Sequence, residues 1–542
     1  MHQRLLALGA IAILATLPRP LAAQRGGNPS TAPADRPLPD NPAVRSGRLP
    51  NGLTYYVLPN GYPAHRAELR LVVHAGSVLE DDDQRGLAHL LEHLAFDGST
   101  HFPGHAVWDY LERAGMRVGA DINAVTSYDE TVYRLTIPTD STPVLASGLQ
   151  ILADWAHGLT LDSAELERER KVVIEEWRLR RGASARIHDR QLPVLLAGSR
   201  YVGREPIGRV STLERCTAAE LRRFYHDWYR PDLMAVVIVG DVDADAVAAR
   251  VRALFGGIPP ASHALPRPIP KPPEHGAPRS SVVADPEATS TTVALVTERR
   301  HRAVRTEGDF RRAIAEGMYD DLLGARLDEA AHGEHAPFLS ARASSGTPVR
   351  PMDVHELSAR VDDRGVPRAI DALRAEAARV ARGGFTAAEL ERERSAVLRR
   401  YDQLETQRAE LPSSQLAATL IDEYLDGGRT PSLDTELTLA RRIVPTIGLA
   451  ELRRIAMERT TDSNLVVLVS GPASVPPVLP TPESVAAALA RPPRALPPYV
   501  DSATAAPLLA SPPAPGRVVY AMHFDSLGID IWTLSNGVRV IL

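Results

Sequence analysis

Two stretches of this chain repeat each other, and a repeat on this scale constrains the fold more than any other feature of the sequence. The heptapeptide AELERER at residues 164–170 recurs unchanged at residues 388–394. Two further matches pair residues 220–223 with 451–454 (both ELRR) and the apolar run 234–240 with 465–471. The chain has 542 residues, which is too long for one hydrophobic core and long enough for two or three domains. The repeat therefore predicts a duplicated domain.

Each copy combines the periodicities of helices and strands. Amphipathic helical segments occur beside short β-rich segments, which in the first copy are residues 53–58, 68–73, 131–137 and 235–239. We therefore expect an α+β fold of two homologous domains, each with an antiparallel-rich sheet flanked by helices. Proline-dense stretches around the copies indicate linkers. The expected domains are residues 44–257 and 280–472, and the expected linkers are residues 24–43, 258–279 and 473–516.

The composition is that of a globular protein with a packed core, because 44% of the residues are hydrophobic and 24% are charged. The formal net charge of −5 provides no broad basic surface to neutralise nucleic-acid phosphates, so nucleic acid is not an expected partner. The single cysteine, Cys216, cannot form a disulfide within the chain. Stability therefore has to come from burial.

The N-terminus has the pattern of an export signal. Arg4 supplies the positive charge, residues 5–17 form a short apolar stretch, and residues 21–23 (LAA) resemble a cleavage site. We expect residues 1–23 to be a signal peptide. No later segment offers the roughly 20 apolar residues of a transmembrane helix, and no cysteine follows the signal for lipid attachment. The sequence predicts a soluble protein that is periplasmic or secreted.

The C-terminal segment begins a pattern that the first domain also contains. Residues 49–53 (LPNGL) form a turn before a strand, and residues 534–538 (LSNGV) resemble that turn. A lone apolar strand after the turn would lack partners. We therefore expect residues 517–542 to be the start of a second half. The chain would then be truncated at the start of a third domain.

A His-x-x-Glu-His motif at residues 89–93 lies in a predicted helix with two distinct faces. Leucines at positions 87, 90, 91 and 94 form a packing stripe, while His89, Glu92 and His93 lie on the opposite side. Histidines four residues apart on a helix stand one above the other, close enough to bind one ion. The motif therefore predicts two imidazole ligands of a metal, with Glu92 between them.

Catalytic zinc needs a third protein ligand and an open position for water. A second predicted helix offers Glu169 and Glu176, two helical turns apart along the edge of its apolar side. The neighbouring Glu175 points away from that side and is expected to be a surface residue. Placing a carboxylate beside a buried apolar face costs free energy unless a cation lies next to it.

The second copy of the repeat acts as an internal control for the choice between the two carboxylates. Glu169 corresponds to Glu393, but Glu176 corresponds to Arg400, and the second copy contains no His-x-x-Glu-His motif. The residue lost together with the histidines is the better candidate. We therefore expect Glu176 to be the third ligand and Glu169 to orient the ligands from behind.

These residues predict a zinc metallopeptidase with Zn²⁺ as its cofactor. The metal would acidify its bound water and polarise the scissile carbonyl. Glu92 would act as general base on the zinc-bound water and pass the proton to the leaving amine. A chance polar face is the alternative explanation of the motif. His101 and His105 are also four apart, but the proline and glycine between them argue against a second helical pair.

At these residues the chain resembles the pitrilysin and insulin-degrading-enzyme family of inverzincin metallopeptidases. The resemblance covers nearly all of residues 51–471. The matching motifs are HLLEH at 89–93, the helix with Glu169 and Glu176, NAVTS at 123–127 with Thr131 and Tyr133, and WYRP at 228–231 before the strand that ends at Gly240-Asp241. The 83 positions between His93 and Glu176 exceed the usual family spacing, so Glu169 stays an alternative ligand.

The resemblance implies a half-molecule in which the first domain is catalytic, the second is metal-free, and a second half completes a closed chamber. It also implies that peptides or unfolded polypeptides bind as an added strand on an edge strand at residues 119–126, with Asn123 and Ala124 nearest the substrate. The missing second half would be a C-terminal part of the same chain or a partner subunit. The alternative function is a peptide-binding or scaffolding half-subunit with little activity of its own.

Overall fold

The computed structural model describes residues 36–362, 364–474, 478–501, 514–526 and 528–542. The chain divides into two compact units, Met1–Tyr499 and Val500–Leu542. The predicted signal peptide and residues 24–35 of the first predicted linker lie outside the described residues. Within the described part of the chain, no helix combines the length and the apolar character that crossing a bilayer requires.

The first domain of the larger unit is built on a six-stranded sheet with the order β1-β2-β6-β3-β5-β4. Its strands are β1 Arg45–Arg48, β2 Thr54–Pro59, β3 Arg66–Val73, β4 Ile122–Thr126, β5 Thr131–Pro138 and β6 Met234–Gly240. β2 and β6 are parallel, and the other neighbouring strands are antiparallel. The central strands β3 and β6 are buried on both faces, which suits their runs of valine, leucine and isoleucine. β4 lies at one edge of the sheet.

The helices of the first domain pack on the sheet and on each other. They are α1 Leu87–Leu94, α2 Ala106–Arg113, α3 Thr142–His157, α4 Ser163–Leu179, α5 Ala183–Leu195, α6 Val210–Leu213, α7 Ala218–Trp228 and α8 Ala244–Phe255. α3 packs against β3 and β5, while α1 contacts β4, β5 and α4. The two helices that carry the predicted metal ligands, α1 and α4, are therefore neighbours.

The second domain repeats this architecture with a five-stranded sheet in the order β7-β11-β8-β10-β9. Its strands are β7 Arg279–Asp285, β8 Thr291–Arg300, β9 Ser340–Val349, β10 Met352–Val361 and β11 Leu465–Pro472. Its helices are α9 Glu307–Ala331, α10 Val366–Gly383, α11 Ala387–Thr406, α12 Ser413–Asp426, α13 Leu433–Ile443, α14 Leu449–Arg459 and α15 Pro482–Ala490. The order and directions of these five strands match those of β2-β6-β3-β5-β4 in the sheet of the first domain. The predicted α+β fold of two homologous domains is confirmed.

Two stretches expected to be linkers pack onto the second domain. Within residues 473–516, α15 buries Val485, Ala488 and Leu489 in the second core. α15 follows β11 as α8 follows β6, so it completes the duplicated domain. Within residues 24–43, Leu38 is buried in the same core, and its N–H donates to the carbonyl of Arg305. These segments therefore belong to a folded domain, although their high proline content is typical of linkers.

Each of the two domains contributes one helix that packs on the sheet of the other domain. α5 of the first domain packs on β7 and β11 of the second, and α12 of the second packs on β3 and β6 of the first. Along β6, Val236 and Ile238 face the core of the first domain, whereas Val237 faces Leu420 of α12. Each sheet therefore has one face covered by its own helices and the other face contacted by a helix from its neighbour.

The smaller unit is a three-stranded antiparallel sheet formed by β12 Val518–Phe524, β13 Ile529–Leu534 and β14 Arg539–Ile541. The turn at residues 534–538 has the hydrogen bonds of the turn at 49–53. In each turn the leucine N–H donates to the carbonyl of the fifth residue, whose own N–H donates to Oδ1 of the asparagine. The glycines of the two turns, Gly52 and Gly537, have φ values of 98° and 82°, which side chains disfavour. The similar sequences thus form the same turn.

Candidate metal centre

The helix that carries the histidines, α1, is anchored at its first turn by the buried side chain of Glu80. Its carboxylate accepts hydrogen bonds from the N–H of Gly86 at 3.0 Å and of Ala88 at 2.8 Å. These contacts satisfy N–H groups that have no partner within the helix. The four leucines of the predicted stripe are at most 2% exposed. The helix thus has the two faces expected from the sequence.

The second helix of the site, α4, begins at an aspartate cap and runs beside α1. Asp162 accepts a 2.7 Å hydrogen bond from the N–H of Ala164. Val173 is fully buried in the core, which fixes the rotation of the helix. That rotation directs Glu169 and Glu176 towards α1. Glu175 is exposed and pairs with Arg178, as expected for a surface residue.

The structure brings His89, His93 and Glu176 together, with one potential ligand atom from each lying within 4.8 Å of the others. Oε2 of Glu176 lies 3.6 Å from Nε2 of His89 and 3.4 Å from Nε2 of His93. Neighbouring ligand atoms around tetrahedral zinc, with bonds of about 2.0–2.1 Å, lie about 3.4 Å apart. The separations thus fit the edges of a zinc coordination tetrahedron. The donor set of two imidazoles and one carboxylate also suits zinc.

The carboxylates of α4 occupy different positions around the two histidines. Oε2 of Glu169 lies 3.1 Å from Nδ1 of His93, the ring nitrogen that faces away from Glu176. Oε1 of Glu176 pairs with Arg180, which leaves Oε2 towards the imidazoles. Nδ1 of His89 is buried and has no hydrogen-bond partner among the described residues. Glu169 is therefore placed to orient the ring of His93, and Glu176 is placed to share an ion with both histidines.

The electrostatics of the site favour a positive charge between the carboxylates. Burial lowers the pKa of His89 to about 4, so this ring is neutral at pH 7. Burial also acts to lower the pKa of His93, but hydrogen bonds to Glu169 and Glu176 outweigh it and raise the value to about 10. Burial acts to raise the pKa of Glu176, yet the two histidines lower it to about 2. A cation at this position is met by an ionised carboxylate.

Glu92 lies between the histidines and the edge of the sheet, and burial raises its pKa. It is 8% exposed. Its Oε2 accepts a 2.6 Å hydrogen bond from the hydroxyl of Thr126, the last residue of β4. The predicted substrate residues lie on the same strand, where Asn123 is exposed and its Oδ1 accepts a 2.8 Å hydrogen bond from the N–H of Ala124. The general-base candidate is thus joined to the edge strand.

The corresponding position of the second domain contains a guanidinium group. Arg400, the counterpart of Glu176, lies 2.9 Å from Asp321 on α9 and 3.1 Å from Glu393, the counterpart of Glu169. The sequence of α9 contains no histidine. In the second domain, an ion pair therefore occupies the position that the potential metal ligands occupy in the first domain.

Sequence reasoning missed two contacts of the site. The hydroxyl of Thr126 binds Glu92 across 34 positions of the chain, although Thr126 lies in a motif already recognised. Glu80 was also missed, because an acid six residues before the N-cap glycine matches no capping pattern. Neither contact follows from a local sequence pattern, so only the folded structure shows it.

An inverted His-x-x-Glu-His motif on one helix, with a carboxylate from a following helix, is typical of inverzincin metallopeptidases. Residues 55–185 match the family described as Insulinase (Peptidase family M16), and residues 215–397 match the family described as Peptidase M16 inactive domain. The chain belongs to peptidase family M16, the insulinase and pitrilysin family.

Several proteins of known sequence or structure are similar to this chain. Probable zinc protease PqqL of Escherichia coli is 33% identical over 419 residues, which cover 77% of this chain and 45% of PqqL. Zinc protease PQQL-like of Arabidopsis thaliana is 28% identical over 496 residues, or 91% of this chain and 49% of that protein. The crystal structure of the first half of the periplasmic protease PqqL from Escherichia coli has a TM-score of 0.79 and 29% identity, over 86% of this chain and 100% of that chain.

These comparisons bear on two predictions made from the sequence. The names of the relatives confirm the predicted class, a zinc metallopeptidase, and the predicted cofactor, Zn²⁺. The chain spans about half the length of the curated relatives it matches. The activity of the whole protein is therefore a matter of proposal.

Proposed function

We propose that this chain is the metal-binding half of a zinc-dependent peptidase that hydrolyses peptide bonds in peptides or unfolded polypeptides. The observation that carries the proposal is the position of Glu176, 3.4–3.6 Å from the Nε2 atoms of His89 and His93, with Glu92 beside them. A zinc ion held by these three side chains would keep a fourth position for water and substrate, as catalytic zinc requires.

His89, His93 and Glu176 would hold the ion, and Glu169 would keep His93 in its binding orientation. Zinc, when bound, acidifies water and polarises the scissile carbonyl. Glu92 takes a proton from the attacking water and delivers it to the nitrogen of the leaving amine. The hydroxyl of Thr126 holds the Glu92 carboxylate in place for both transfers.

The substrate is proposed to bind in extended form along β4. In the sheet this strand pairs only with β5. On its other side Ile122 is bridged to Val118, and residues 123–126 can accept a further strand. Asn123 and Ala124 would contact the peptide, and the side-chain cap on the Ala124 N–H would give way to a substrate carbonyl. Because Thr126 of the same strand binds Glu92, a peptide paired with β4 passes beside the general base.

We also propose that residues 517–542 begin a third homologous domain, part of a second half that completes the peptidase. The shared turn geometry of residues 49–53 and 534–538 supports this assignment. Apolar side chains of the small sheet, including Val519, Tyr520 and Ile541, are more than half exposed within it. Sequencing the gene beyond the codon for Leu542 tests the proposal, and a stop codon there contradicts it.

The proposed location is the periplasm or the outside of the cell, after removal of residues 1–23. The supporting observations are the signal-like N-terminal sequence and the likeness to a periplasmic protease of Escherichia coli. N-terminal sequencing of the exported protein should find Gln24 as its first residue. An unprocessed protein that stays in the cytoplasm contradicts the assignment.

Two glutamate substitutions test the proposed catalysis. Glu92→Gln should retain zinc and lose turnover of a quenched fluorescent peptide, whereas Glu176→Gln should lose both. Glu175→Gln is the matched control, because it makes the same change one residue away at an exposed position and should alter neither. If Glu92→Gln with bound zinc cleaves peptide at the parental rate, the proposed role of Glu92 is wrong.

The same assays address the alternative function, a peptide-binding or scaffolding half-subunit. The relatives that this chain matches are about twice as long as the matched region. A parental chain that binds zinc and peptide but shows no turnover supports the alternative. Turnover that Glu92→Gln abolishes supports the peptidase.

A further inference from the structure

A second group of potential metal ligands lies behind the first, on the far side of Glu169. Asp97 follows the end of α1, His105 precedes α2, and Glu165 lies in the first turn of α4. One potential ligand atom from each lies within 4.8 Å of the others. Nδ1 of His105 is 3.2 Å from Oδ1 of Asp97. The loop between α1 and α2 and the first turn of α4 thus converge on one point.

Carboxyl groups lie in contact with one another around this point. Asp97 is 7% exposed, and its carboxyl group also meets the carboxyl group of Glu169. Glu165 is partly buried and pairs with Arg168. Three carboxyl groups therefore surround one imidazole and one guanidinium, while Glu169 is shared with His93. Partly buried carboxylates in contact repel each other unless a cation or a proton lies between them.

We propose that Asp97, His105 and Glu165 form a second divalent-cation site, which takes Zn²⁺. One imidazole nitrogen and two carboxylate oxygens from three protein side chains are zinc ligands of the usual kinds. With one imidazole instead of two, this site binds zinc more weakly than the metal centre. The ion would connect the loop after α1 to the start of α4, and so support Glu169 from behind. This inference goes beyond the proposed peptidase activity and does not depend on it.

Zinc stoichiometry measures the second site directly. Chelator-treated protein is equilibrated at micromolar free zinc, and bound metal is counted by mass spectrometry. His105→Ala should bind one zinc fewer per chain than the parent, and Asp97→Asn should show the same loss. His101→Ala is the matched control, because its side chain has the same exposure on the same loop (57% against 58%) but binds Asp154, and it should keep the parental count.

The expected result is that His105→Ala binds one zinc ion fewer than the parent. The count falls from two to one if the metal centre is occupied, and from one to none if it is not. The second site and the proposed peptidase can therefore fail separately. Equal zinc counts in the parent and in His105→Ala overturn the proposal, and so does an Asp97→Asn variant that keeps the zinc lost by His105→Ala. Circular dichroism spectra matching the parent show that each variant is folded.

Discussion

His93 lies between two carboxylates, with Nδ1 at 3.1 Å from Oε2 of Glu169 and Nε2 at 3.4 Å from Glu176. A histidine that donates one N–H to a carboxylate is fixed in its tautomer and ring orientation, and it becomes a more basic ligand through its other nitrogen. The two glutamates of α4 therefore contact opposite nitrogens of the same ring, which agrees with the different roles proposed for them.

Replacing Glu169 should weaken zinc binding without removing a ligand. Glu169→Gln loses the charge that faces Nδ1 of His93, and the zinc dissociation constant should rise roughly 10- to 100-fold. Competition with a chelator of known affinity measures this, in a His105→Ala background so that only the metal centre is titrated. Glu167→Gln, an exposed change on the same helix, should leave the affinity as it was. An unaltered dissociation constant in Glu169→Gln contradicts the orienting role.

The hydroxyl of Thr126 should matter for catalysis and not for metal binding. Thr126→Val removes the 2.6 Å hydrogen bond to Glu92 while keeping the side-chain shape. Hydrogen bonds to charged groups contribute about 1.5–3 kcal/mol, so kcat/KM should fall roughly 10- to 100-fold with the zinc content unchanged. Thr126→Ser keeps the hydroxyl and should retain most of the activity. Equal losses in the two variants would show that packing is responsible.

Arg350 should hold the two homologous domains together. Its guanidinium lies 3.2 Å from Glu130 of the first domain and 3.0–3.1 Å from Asp426 and Asp422 of α12. Arg350→Met leaves these partly buried carboxylates without their cation, and the free energy of unfolding should fall by about 1–3 kcal/mol in a urea titration.

The control for this substitution is Arg342→Met, which changes an arginine on β9 whose side chain is 74% exposed. Its effect should stay within about 0.5 kcal/mol. If Arg350→Met is as stable as this control, the ion cluster does not stabilise the domain interface.

Glu298 should make the protein less stable as the pH rises. Burial raises its pKa to about 7, with a partial offset from Arg279, and its Oε1 has no hydrogen-bond partner among the described residues. Because the folded state holds this proton more tightly than the unfolded state, stability from this group is complete below pH 4.5 and is lost as the pH rises through 7.

Glu298→Gln removes the titrating group. At pH 8 it should be more stable than the parent by about 1–2 kcal/mol. At pH 4.5 the difference should vanish. The exposed substitution Glu410→Gln should show no such trend. A constant difference across this pH range contradicts the assignment.

Local pattern was sufficient for much of the fold and the site. Repeated segments gave the duplication, and the spacing of His89, Glu92 and His93 gave the two faces of α1. Comparing Glu176 with Arg400 identified the carboxylate that the structure places beside the histidines. These inferences needed only helical periodicity and a comparison of the two repeats, and neither requires knowledge of contacts between distant segments.

The features that were missed depend on contacts between distant segments. α15 escaped prediction because prolines surround a short alanine-rich helix whose stability comes from burial of Val485 and Leu489. The exchange of α5 and α12 between the domains has no local signature. Asp97 and Glu165 are ordinary surface acids in the sequence, and only the packing of α4 on the loop after α1 brings them to His105.

The central claim is that one zinc ion lies between His89, His93 and Glu176. A crystal structure of the zinc-loaded Glu92→Gln variant, with diffraction recorded across the zinc absorption edge, tests it most directly. The expected result is an anomalous peak about 2.0–2.2 Å from Nε2 of both histidines and from a carboxylate oxygen of Glu176. A peak coordinated by Glu169 in place of Glu176, or no peak between the two imidazoles, would contradict the claim.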